Sequence, residues 1–98
     1  MTKPGATKNR KIVRDVRIAN KLGLHARPAS LLAKLASKYR ADIHVRKGSD
    51  EVNAKSIMGI ITLAAGQDAV LHFTASGPDA ERALEAIGEL IDGKFGED

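Results

Sequence analysis

Residues 69–91 read AVLHFTASGPDAERALEAIGELI, and the spacing of their apolar side chains changes midway. From Ala69 to Ala75, Leu71, Phe73 and Ala75 alternate with Val70, His72 and Thr74, which is the two-residue repeat of a strand with unlike faces. Ser76, Gly77 and Pro78 then break the strand. From Asp79 to Ile91, Ala80, Ala83, Leu84, Ile87, Leu90 and Ile91 fall along one stripe of a helix, and Gly93 ends it. A one-sided strand followed by a one-striped helix calls for two layers, a sheet with one face covered and one face in water.

The rest of the chain fits that plan. Ile12 to Ile18 (IVRDVRI) is β-branched and predicts a first strand, with Ile12, Val16 and Ile18 on one face and Arg14 as an exception. A short loop around Gly23 leads into Ala26–Tyr39, where Leu31, Leu32, Leu35 and Tyr39 recur at helical spacing. Asp42 to Lys47 places Ile43 and Val45 inward and His44 and Arg46 outward, as a second strand. Gly48, Ser49 and Asp50 supply a turn, after which Glu51 to Asn53 pairs back as a short third strand. Ser56 precedes the apolar run IMGIITLAA and predicts a short capped helix ended by Gly66. The order βαββαβα, without repeats, gives a two-layer α+β sandwich built on a four-stranded sheet.

With 98 residues there is room for one small domain. Three aromatic residues leave little on which bases could stack, and the lack of cysteine excludes disulfides and thiolate metal sites. No run is long and apolar enough for a membrane span. The opening MTKPGATKNRK lacks the apolar stretch of a secretory signal, so a soluble cytoplasmic protein is expected. The net charge of +4 is unevenly placed: six basic side chains stand against Asp15 before Ile18, whereas the remainder holds ten basic and eleven acidic ones. This predicts a basic arm at 1–11, a folded domain at 12–92 and a C-terminal tail at 93–98, with a solvated arm favoured over nucleic-acid binding.

His25 is the one histidine at a loop-to-helix junction, in LGLHARPAS. His44 and His72 lie in predicted strands, and no pair has the spacing of a helical metal site. Pro28 suits a first helical turn, where its missing N–H has no intrahelical partner to lose. With His25 as N-cap, the positive end of the helix faces the ring, welcomes an anion and favours neutral, nucleophilic imidazole. Arg27 adds a permanent cation able to grip phosphate oxygens. The same residues also suit a plain cap beside a solvated arginine. Ser56 likewise stands at a helix start, either as an ordinary N-cap or as a position where phosphate would be tolerated. Ile57, Met58 and Ile61 are more apolar than a short helix needs for one buried face, and predict a contact patch.

GLHARPAS at 23–30 and VNAKSIMGIITL at 52–63, followed by a strand and SGPDAERALEAI, resemble the HPr family, the histidine-containing phosphocarriers of the bacterial phosphoenolpyruvate-dependent phosphotransferase system. The likeness covers about Val16 to Leu90. It implies an open-faced β-sandwich with an antiparallel sheet in the order 1-4-2-3 and three helices on one side. It also implies that His25 takes a phosphoryl group on Nδ1 from phosphorylated Enzyme I and passes it to enzyme II A domains in sugar uptake. Arg27 would stabilise the phosphate, Ser56 would be the site used by HPr kinase/phosphorylase, and Ala26, Ile57, Met58 and Ile61 would dock the partner. The implied protein is a monomer without cofactor, metal or membrane insertion. A carrier of the related nitrogen-type relay, and a purely regulatory module controlled through Ser56, are the alternatives. Ala64 and Ala65 stand where the family often has a glycine, and the segment before Ile12 is longer than is usual.

Overall fold

The computed structural model describes residues 11–97. Four strands, β1 (Lys11–Arg17), β2 (Asp42–Lys47), β3 (Asp50–Asn53) and β4 (Val70–Ser76), form one antiparallel sheet in the order β1-β4-β2-β3. Three helices, α1 (Ala26–Ser37), α2 (Ile57–Thr62) and α3 (Ala80–Asp92), cover one face in the element order βαββαβα. Apart from Lys11, the basic arm expected at 1–11 lies outside the described residues.

Alternation decides which sheet face is covered. Val16, Ile43, Val45, Leu71, Phe73 and Ala75 are buried under the helices, against Leu32, Ile60, Ala83, Leu84, Ile87 and Ile91. The open face carries the intervening residues, including a cross-strand row of Asp15, His72, Arg46 and Glu51. There His72 Nδ1 lies 2.6 Å from Asp15 Oδ1, so this histidine is paired as well as partly solvated.

Arg14, the exception in the β1 pattern, faces the helix layer opposite Phe73. Its guanidinium lies across α3 at Gly88, where a β-carbon would stand 2.7 Å from Cζ. A glycine in mid-helix thus makes room for a charged side chain that reaches over the helix to water.

Element ends differ slightly from the spacing-based reading. Helix α1 stops at Ser37, two residues short of Tyr39, because the amides of Lys38 and Tyr39 bond to the carbonyls of Leu35 and Ala36 in a tighter last turn. Asp79 precedes α3, yet its carboxylate does not cap that helix. Its two oxygens instead accept the backbone amides of Arg40 and Ala41, each at 2.9 Å, and tie the α1–β2 loop to the β4–α3 loop.

Residues 93–97, within the expected C-terminal tail, fold back onto the domain. Lys94 and Phe95 adopt left-handed φ values of 58° and 56° in the short turn Lys94–Gly96, and the Phe95 ring is buried in the core. This reversal directs Glu97 back toward the start of α1, where it meets His25 and Arg27.

Candidate functional site

The loop ahead of α1 is held by its backbone. Gly23 has φ +68°, and a β-carbon there would meet the Ala65 carbonyl oxygen at 2.4 Å. That same oxygen accepts the Leu24 amide at 2.9 Å, so the segment entering the helix is fastened to the loop after α2. Only glycine combines that conformation with so close an approach. Ala64 in the same loop has φ 50°, a left-handed conformation that glycine would adopt without steric cost.

His25 is the N-cap of α1, in extended conformation, and its carbonyl accepts the first helical amide, that of Ala29, at 3.0 Å. Its side chain makes no capping bond. The ring points instead to the C-terminal segment, with Nε2 2.9 Å from Glu97 Oε2. Arg27 Nη1 donates to that same oxygen and to the Phe95 carbonyl, both at 3.0 Å. The other carboxylate oxygen, Glu97 Oε1, accepts Asn20 Nδ2 at 2.9 Å, and Asn20 Nδ2 also donates to the Gly23 carbonyl. Asn20 is fully buried.

Burial works to raise the Glu97 carboxyl, but the bonds from Asn20, Arg27 and His25 outweigh it and hold the group below its ordinary value. It is therefore an ionised acceptor at neutral pH. The side chains of His25 and Arg27 remain 38% and 53% exposed, so a large partner can reach both. The cluster sets an imidazole, a guanidinium and a helix N-terminus around one surface point where the Glu97 carboxylate is the anion they hold, so a phosphoryl group arriving at His25 meets a guanidinium already shared with that carboxylate.

Ser56 is the N-cap of α2, and its Oγ accepts the Gly59 amide at 3.0 Å. Its side chain bonds within its own turn and makes no hydrogen bond to the His25 cluster. Ala26, Ile57 and Met58 are exposed, whereas Ile61 is half-buried against the core because it shares the inner side of α2 with Ile60. Leu22, which the sequence reading passed over, is the most exposed large apolar side chain among the described residues, at 74%.

Spacing picked out His25, Arg27 and Ser56 but neither Asn20 nor Glu97. A clue to the latter was present in GKFG at 93–96, a lone aromatic between two glycines that marks a turn with a buried anchor. Among the described residues, no group of three or more His, Asp or Glu side chains is arranged to hold a metal ion, and no helix is long and apolar enough to cross a membrane.

Residues 12–93 match the family model described as the PTS HPr component phosphorylation site. The phosphocarrier protein HPr of Treponema pallidum is 42% identical over 89% of this chain and 99% of its own length. The phosphocarrier protein NPr of Shewanella violacea is 44% identical over 89% of this chain and 96% of its own. The crystal structure of an HPr from Thermoanaerobacter tengcongensis superimposes with a TM-score of 0.85 at 47% identity, covering 89% of this chain and 98% of that one.

Proposed function

The chain belongs to the HPr family of phosphotransferase-system phosphocarriers, and we propose that His25 is the residue that carries the phosphoryl group. It receives the group from phosphorylated Enzyme I and delivers it to enzyme II A domains. The observation that carries this reading is the half-exposed ring of His25 at the start of α1 with the Arg27 guanidinium beside it.

A carrier must hold phosphate without burying it. Transfer through a loose, in-line transition state places the donor and acceptor atoms on opposite sides of the phosphorus, so both the ring and the phosphate need open approach. Arg27 and the amides at the helix start offset charge on the equatorial oxygens. Their exposure keeps that stabilisation modest and the transfer reversible. Ala26, Ile57 and Met58 supply apolar surface for docking, with Ile61 supporting them from beneath.

Ser56 is a second phosphate acceptor in this reading, modified by an ATP-dependent HPr kinase. Phosphate there would add about −1.5 to −2 charges next to Ile57 and weaken association with an acidic partner. The likeness to an NPr supports a nitrogen-type relay as the other pathway for the same histidine. Cytoplasmic action follows from either pathway.

Incubation with Enzyme I, phosphoenolpyruvate and magnesium tests the assignment. The protein should gain acid-labile, base-stable phosphate and, once freed of Enzyme I, pass it to an enzyme II A domain. Acid-stable phosphate alone, formed only with a kinase and ATP, would replace the carrier with a regulatory module. Comparing sugar-type with nitrogen-type Enzyme I as donor decides the pathway by the faster rate.

A further inference from the structure

The Glu97 carboxylate is held from three sides. Asn20 Nδ2 binds one oxygen, and Arg27 Nη1 and His25 Nε2 share the other. Its approach is set by the Lys94–Gly96 turn, whose Phe95 side chain is buried and whose Phe95 carbonyl is itself bonded to Arg27. This is a built contact between segments far apart in the chain, since Asn20 is fully buried and joins Glu97 to the Gly23 carbonyl in the loop before His25.

A neutral imidazole has one N–H and one lone pair, and an ionised carboxylate can only accept. The bond at 2.9 Å between Nε2 and Glu97 Oε2 therefore requires the ring proton to be on Nε2, which leaves the lone pair on Nδ1. We propose that Glu97 is a positioning residue that holds His25 in the Nε2–H tautomer and presents Nδ1 as the phosphoryl acceptor. This rests on the reading of His25 as the carrier.

The atoms balance without a proton transfer. The Nδ1 lone pair forms the N–P bond while the bond from phosphorus to the donor atom breaks, its electron pair leaving with the donor. Nε2 keeps its proton, and the ring becomes an N-phosphorylated imidazolium whose positive charge faces the Glu97 carboxylate. Delivery reverses the step. The carboxylate favours the charged, phosphorylated ring over the neutral one, and it does so from the nitrogen that does not bond phosphorus. The same logic applies where a carboxylate fixes the tautomer of a catalytic or metal-bound histidine.

Nitrogen-15 NMR of the full chain tests this on unphosphorylated protein at pH 8, where a free imidazole is neutral. The native protein should show a slowly exchanging proton on Nε2 of His25 and an unprotonated Nδ1. In Glu97→Ala that proton resonance should disappear into exchange and the two nitrogen shifts should move toward each other. Glu97→Gln, whose amide oxygen still accepts, should keep the proton on Nε2. With phosphoramidate as phosphoryl donor, phosphate uptake should fall on the order of ten-fold in both variants because both lose the charge. A proton on Nδ1 in the native protein, or nitrogen shifts and uptake rates unchanged by Glu97→Ala, would overturn the proposal. Failure of the native chain to take phosphate from any donor would instead remove the carrier reading, while the tautomer measurement would still decide the role of Glu97.

Discussion

The guanidinium of Arg14 on β1 lies over Gly88 of α3, its Cζ 2.7 Å from the place a β-carbon on residue 88 would occupy. All three nearest atoms to that place belong to the mobile end of one arginine, which reaches toward solvent. Gly88→Ala should therefore displace Arg14 cheaply and retain the helix-propensity gain, raising stability by about 0.5 kcal/mol. Gly88→Leu should overpack the same site and lower stability by roughly 1–3 kcal/mol. Urea denaturation of the two variants measures both signs.

Gly23 presents the opposite case, because the obstructing atoms are backbone. A β-carbon would approach the Ala65 oxygen to 2.4 Å and the Gly66 Cα to 2.7 Å, at φ +68°. The left-handed conformation alone costs about 1–2 kcal/mol in a non-glycine residue, and the collision must also break the bond from the Leu24 amide to Ala65. Gly23→Ala should lose about 2–4 kcal/mol in urea denaturation. It should also shift the backbone amide resonances of Leu24 to Arg27 and slow phosphate uptake.

Ala64 pays a similar conformational cost without a collision to relieve. It holds φ 50° at the end of α2, where Lys47 Nζ donates to the Leu63 and Ala64 carbonyls. Ala64→Gly should stabilise the protein by about 0.5–1 kcal/mol, since removal of strain outweighs the greater freedom of the unfolded chain. A fall in melting temperature would contradict this account of the loop.

Acid should weaken the fold through Asp79. The amide of Arg40 is the strongest influence lowering its carboxyl below the ordinary 3.8, and the Ala41 amide adds to it against the opposing effect of burial. A carboxyl lowered in the folded state contributes stability that is complete above the unfolded value and is lost as pH falls through the folded one. The native protein should thus lose stability below pH 3.8, with Glu97, also lowered, acting in the same direction. Asp79→Asn should be less stable by about 1–3 kcal/mol at pH 7, having one amide without its acceptor, and should show a flatter acid limb. Thermal unfolding between pH 2 and 7 follows both variants.

Much of this arrangement could be read before the structure was seen, because periodicity reports burial directly. Leu71, Phe73 and Ala75 are buried as their alternation requires, and the Ala80–Ile91 stripe faces the core. His25 stands at the helix start that Pro28 marks. The strand order came only from family resemblance, since spacing within a strand says nothing about its neighbours. Arg14 remained an exception until its partner was seen to be a glycine 74 positions away. Asn20 escaped notice because a buried amide looks like a loop residue in sequence, and Glu97 because two left-handed residues that are not glycine, Lys94 and Phe95, turn the chain toward the site. Contacts between residues far apart in the chain carry no local signature.

Phosphorylation of the His25→Ala variant tests the central claim most directly. With Enzyme I, labelled phosphoenolpyruvate and magnesium, the native chain should take up close to one acid-labile phosphate per molecule. His25→Ala, still folded by its amide spectrum, should take up none. Acid-labile label retained on His25→Ala, or no label on the native chain when Enzyme I itself is charged, would contradict the account.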